Sequence, residues 1–137
     1  MFKRPLLICL LISLSFFVWS LGFTENRING NKLYNEGDFD GSSLEYTKGL
    51  TKKANFDLYY NRGASFYKLG LYNKALSDFE DAGTYSDSTT QQVRALYNAG
   101  NSSFMGAETA KTENPNQALD SYIKAVKHFE RALELDN

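Results

Sequence analysis

The sequence predicts an all-α fold: a stack of about three helix–turn–helix units behind an N-terminal apolar segment. Three observations predict it. Glycine-centred strings recur, with Gly30 and Gly63 33 residues apart and Gly63 and Gly100 37 apart. Around them, small and aromatic residues fall at i, i+3, i+4 and i+7, the spacing of a helix face and not of a strand. Residues 5–23 carry no charge and directly follow Met1-Phe2-Lys3-Arg4.

A basic start and an apolar run have the layout of a secretory signal. Ser20 and Gly22 put small residues where a signal peptidase reads, so cleavage is expected after Gly22. The run is also about long enough to span a bilayer. Residues 1–22 are therefore read as a cleaved signal peptide or a retained anchor helix, with membrane attachment through residues 5–23 in the second case. Either way the remainder, 23–137, is expected outside the cytoplasm, in the periplasm or at the cell envelope. Cys9 does not mark a lipidated N-terminus, because the eight residues before it are too few for a working signal.

The 137 residues leave room for one domain of ordinary size. Of the 15 basic and 16 acidic residues, Lys3 and Arg4 lie in the leading segment and no acid does, leaving about −3 on the rest. Such a surface does not suit nucleic acid, whose binding needs a basic face. Cys9 is the only cysteine, so disulfides, thiolate metal sites and cysteine nucleophiles are excluded from 23–137. No metal or cofactor is expected.

The middle unit, about 56–92, is the cleanest. Tyr59, Gly63 and Phe66 are followed by the turn Gly70-Leu71-Tyr72, then Ala75, Phe79 and Ala82. This string resembles the tetratricopeptide repeat (TPR) in all but its closing Pro, where Asp87 stands, and a period near 34 is the TPR period. The resemblance implies a right-handed α-solenoid. Glycine costs about 1 kcal/mol against Ala inside a helix, so its recurrence needs a packing reason. Close crossing of the paired helices, with Gly63 and Ala75 at the approach, supplies one.

The first unit, about 23–55, is looser. Asn26 replaces the aromatic, Gly30 is kept, and Gly37-Asp38-Phe39 echoes Gly70-Leu71-Tyr72. Ser42, Tyr46 and Gly49 keep the small–aromatic–small order. The third unit, about 93–137, opens with Leu96, Gly100 and Phe104. Met105 to Asn116, with Gly106 and Asn114-Pro115, reads as an insertion. One long helix over 116–135 then offers two registers, Ala118/Tyr122/Ala125 and Ala125/Phe129/Ala132. Lys124, Lys127 and Arg131 are expected on its solvated face. The usual next repeat or capping helix does not follow in this sequence, which leaves an apolar end face or makes the chain a truncated part of a longer TPR protein.

In TPRs the first helices line a concave groove. The polar residues expected there are Arg27, Asn31, Tyr60, Asn61, Arg94, Asn98 and Asn101. Arg and Asn donors resemble the carboxylate clamp of chaperone-binding TPRs, although Asn98 departs from it. The alternative is a generic peptide groove, with the Asn side chains bonding neighbouring backbone. Tyr60-Asn61 and Tyr97-Asn98 repeat an aromatic–amide pair suited to peptides.

No catalytic set emerges. Ser65-x-x-Lys68 and Ser121-x-x-Lys124 spell a nucleophile motif with no companion, and His128 is expected on the surface. The string Leu96-Tyr97-Asn98-Ala99-Gly100-Asn101 and the N-terminal segment resemble the small TPR proteins of bacterial Bat (aerotolerance) clusters. That resemblance implies von Willebrand-type envelope proteins as partners. The expected role is a non-catalytic scaffold for a protein partner; the alternative is a homo-oligomer joined through the apolar C-terminal end.

Overall fold

The computed structural model describes residues 24–136, and the signal or anchor reading of residues 1–22 lies outside them. The described residues form six helices and no strand: α1 over 24–35, α2 (Phe39–Lys52), α3 (Phe56–Lys68), α4 (Tyr72–Thr84), α5 (Thr89–Ala110) and α6 (Pro115–Asp136). Consecutive helices from α2 to α6 pack on one another, and α3 also meets α5. This layered stack is consistent with a TPR solenoid. Among the described residues, no helix is long and apolar enough to cross a membrane.

The caps explain the boundaries. Asp38, Asn55 and Ser88 each accept a backbone N–H at the start of α2, α3 and α5. The turns after α1 and α3 are the same device. Gly37 (φ 82°) and Gly70 (φ 73°) take left-handed backbone. Asp38 N–H then bonds Leu33 O at 2.9 Å, and Leu71 N–H bonds Phe66 O at 2.9 Å. These are Schellman closures, and L side chains disfavour that φ.

The recurring helical glycines have a sharper purpose than close backbone crossing. Each receives the aromatic ring of its partner helix. A Cβ at Gly30 would lie 2.5 Å from the Tyr46 ring, at Gly63 3.1 Å from Phe79, and at Gly100 2.6 Å from Phe129. Ala75 and Ala82 beside Phe79 are fully buried, with Phe56, Ala95 and Ala99 continuing the core. Tyr59 packs differently, half-buried and stacked on Tyr85 at 5.3 Å. Asn26, standing at the first unit's aromatic position, is buried and bonds Glu45 and Lys52 across to α2.

Two polar ties reinforce the layers. Ser42 and Ser65 share a buried hydroxyl bond of 2.7 Å between α2 and α3. Arg62 holds Asp78 with two 2.7 Å bonds between α3 and α4, and donates to Thr47. Burial pushes the Asp78 carboxyl up against the pull of Arg62, while the hydrogen bonds to Asp78 raise the Arg62 guanidinium and keep it charged.

The third unit corrects the expected insertion. Residues 105–110 are not a loop but the continuation of α5, and α6 begins at Pro115. The ring-receiving pairs measure this: Gly63 meets Phe79 16 residues later, whereas Gly100 meets Phe129 29 residues later. The extra length is added to both helices and leaves only a short turn between them. Gly106 lies within the helix, where it passes the start of α4 with Asn73 Oδ1 and Tyr72 Cβ within ordinary contact of an added Cβ. Both registers of α6 are therefore used. Phe129 fills the repeat position on Gly100, while Tyr122 packs on Phe104 and donates to Glu108 of the α5 extension.

His128 is not a surface residue. Its ring is only 15% exposed and turns to α4, with Nε2 3.2 Å from Glu80 Oε1.

Candidate protein-binding groove

The first helices α1, α3 and α5 enclose a concave groove of about 560 Å³. Asn31, Tyr34 and Asn35 come from α1, and Tyr60, Asn61, Ala64, Tyr67 and Lys68 from α3. Asn98 closes it from α5, and Tyr46 and Phe79 reach in from the second helices.

Of the residues expected from sequence, Asn31, Tyr60, Asn61 and Asn98 come together here. Arg27, Arg94 and Asn101 are not among the lining residues. Arg94 lies over the Tyr60 ring, its guanidinium 4.7 Å from the centroid, in a cation–π contact at the groove edge. The half-buried Arg27 lies close enough to Tyr46 for its charge to act on that hydroxyl. The basic side chain in the lining is Lys68, which sequence reasoning missed together with Tyr34, Asn35, Tyr46, Ala64 and Tyr67. Lys68 is seven residues after Asn61, two turns along the same helix face, and that spacing was the available signal.

The amides bond other side chains more than backbone. Asn31 Oδ1 accepts from Tyr46 Oη at 2.9 Å and from Asn61 Nδ2 at 3.2 Å. Asn98 Nδ2 donates to Tyr60 Oη at 2.7 Å and to Arg94 O at 3.0 Å. One network therefore ties α1, α2 and α3, and a second ties α3 to α5. Asn31 Nδ2 and Asn61 Oδ1 make no hydrogen bond among the described residues, leaving one donor and one acceptor in the groove. Burial pushes the Tyr34, Tyr46 and Tyr67 hydroxyls up, Tyr46 to about 12, so all three stay neutral at ordinary pH. The groove thus offers fixed aromatic faces, amide groups and one exposed cation. It is suited to holding a chain segment by its backbone and apolar side chains.

No family model matches the chain. Curated relatives do. The chain is 40% identical over 57 residues to the inactive TPR repeat-containing thioredoxin TTL3 of Arabidopsis thaliana, covering 41% of this chain and 8% of that protein. It is 39% identical over 57 residues to the TPR repeat-containing thioredoxin TTL4 of the same plant, with the same coverage. Tetratricopeptide repeat protein 12 of Mus musculus is 28% identical over 120 residues, covering 82% of this chain and 15% of that protein. The chain thus spans only a small part of each. These relatives are TPR proteins at modest identity, and they support the TPR reading of the six-helix stack.

Proposed function

We propose that this chain is a non-catalytic scaffold that holds an extended or helical segment of a partner protein in the groove of α1, α3 and α5. The observation that carries this reading is the groove itself. Its aromatic and amide walls are braced by side-chain bonds across three repeats, while Asn31 Nδ2, Asn61 Oδ1 and Lys68 face open space. A braced wall loses little freedom on binding, so more of the contact energy appears as affinity. The TPR character of the relatives supports a protein-interaction role.

The basic start and apolar run of residues 1–23 support export, with the groove presented in the periplasm or at the envelope. The resemblance to Bat-cluster TPR proteins favours von Willebrand-type envelope proteins as the partner class. A pull-down from envelope extract tests the reading, comparing wild type with Asn35→Glu plus Lys68→Glu, both exposed positions. The double variant is expected to lose the specific partner while keeping its thermal melt. Recovery of the same proteins by both overturns the groove as the contact surface.

A further inference from the structure

The extension of α5 and α6 creates a surface that the groove reading does not use. On α6, Ala118, Ala125 and Ala132 are buried, and Phe129 packs on Gly100 of α5. His128 turns to Glu80 of α4, and Ser121 lines a cleft with the start of α4. Leu119, Ile123, Val126 and Leu133 lie on the side of the helix turned away from α4, since a two-residue step rotates a helix position by about 200°. They are 58%, 46%, 53% and 65% exposed. Lys124, Lys127 and Arg131 occupy a third face. The outer side of α5 continues the patch with Tyr97 and Phe104, 56% and 46% exposed, and Val93 shares a cavity of about 380 Å³ with Tyr97 and Leu133. The exposed Glu130 stands among them, and so many exposed apolar side chains gathered on one side of the hairpin mark a candidate interaction site.

Two properties of the patch say what covers it. The first is length. It runs along a 22-residue helix, about 33 Å, whereas α3 and α4 have 13 residues and span about 20 Å. A helix of repeat length laid on the Val126–Leu133 end leaves Leu119, Ile123 and Phe104 bare. The helices of matching length among the described residues are α5 and α6 themselves. The second is symmetry. Leu119 and Leu133 lie seven residues either side of Val126. The aromatic pairs Phe104–Tyr122 and Tyr97–Phe129, both with centroids 5.6 Å apart, also lie either side of that level. Turning α6 by 180° about an axis at Val126 therefore lays Leu119 on Leu133 and Ile123 beside Phe129, while Tyr122 falls on the exposed Glu130, so apolar side chains meet apolar ones at most of the levels of a two-fold interface.

We propose that the outer face of the α5–α6 hairpin joins two copies of this chain about a two-fold axis, with the two α6 helices antiparallel and Val126 at the axis. Leu119 of one copy then meets Leu133 of the other. The contact leaves the groove residues free and is independent of the groove reading.

The experiment uses the full-length chain. Cys9 is its only cysteine, so Cys9→Ser gives a clean background for Val126→Cys, with exposed Ser77→Cys on α4 as the control. Under mild oxidation Val126→Cys is expected to form a disulfide-linked dimer well above the control. An equimolar mixture of Leu119→Cys and Leu133→Cys chains is expected to give the mixed dimer, and neither alone to cross-link efficiently. In sedimentation velocity, Val126→Glu places two like charges at the axis and is expected to weaken the dimer by about 100-fold or more. Its thermal melt should stay cooperative, because Val126 is exposed in the single chain. The proposal is overturned by a wild-type chain that is monomeric at tens of micromolar, or by Val126→Cys cross-linking no better than Ser77→Cys. Dimers indifferent to Val126→Glu overturn it too, as association through residues 5–23 would produce them.

Discussion

The second and third helix pairs solve one packing problem with opposite surroundings. In α3–α4 a glycine receives a phenylalanine ring that is enclosed on all sides, Phe79 being 3% exposed. In α5–α6 the same arrangement at Gly100 and Phe129 sits at the end of the stack, beside an open apolar cavity lined by Tyr97 and Leu133. The middle pair has neighbours on both sides, so apart from the groove residues of α3 its side chains answer mainly to stability. The last pair has longer helices, and apolar side chains on its outer face are exposed.

Truncation of the two rings is the strongest way to break that contrast. Phe79→Ala is expected to cost about 3–5 kcal/mol, the usual range for a buried Phe. Phe129→Ala, half-buried, is expected to cost less than half as much in the same urea titration. Equal losses would show that the end of the stack is as enclosed as its middle.

The Arg62–Asp78 tie belongs only to the middle pair and ranks next. Asp78→Ala strands a largely buried guanidinium and is expected to cost about 3 kcal/mol. In the third pair the Lys111–Glu108 contact (2.5 Å) is open to solvent, and Lys111→Ala is expected to leave the midpoint almost unchanged. Urea midpoints at unchanged slope read both.

A third contrast is chemical. The ring facing the first helical glycine is Tyr46, and its counterparts Phe79 and Phe129 lack a hydroxyl. Burial pushes Tyr46 up to about 12. A raised acid favours the protonated fold, so its contribution is complete below pH 10 and is lost as the pH rises toward 12. Stability should fall by about 2–3 kcal/mol across that window, and Tyr46→Phe should flatten much of the fall.

The smallest of the contrasts concerns turns. Gly70→Ala forces a Cβ into left-handed backbone and is expected to cost about 1–2 kcal/mol. The turn after α5 has no residue with positive φ, so an equivalent position does not exist there.

Much of this was legible beforehand where a residue type is forced by local geometry. Gly37 and Gly70 mark turns because their φ demands glycine. Gly63 was readable as a helical position that needs a small residue, but the expected neighbour was Ala75, and only the packing shows that the Phe79 ring fills the gap. The extension was misread because Gly106 and Asn114-Pro115 have loop composition. Only contact with Asn73 and Tyr72 reveals that Gly106 is a small residue within a helix. The Arg62–Asp78 tie joins residues on different helices, and in sequence each is an ordinary surface charge. His128 failed likewise, since its burial depends on how far α6 slides past α4. In the groove, the Asn positions were readable from the repeat. Their partners, Tyr46 and Tyr60 among them, depend on how neighbouring helices stack.

The central claim is that function is divided between a groove for another protein and an end face for a second copy. Site-specific photo-cross-linking tests it directly, with a benzophenone amino acid placed in turn at Asn35, Leu133 and Lys127. The account predicts a cross-link to a different protein from Asn35, a cross-link to a second copy from Leu133, and none from Lys127 on the exposed third face of α6. Equal yields at all three positions, or partner capture from Lys127 alone, would contradict it.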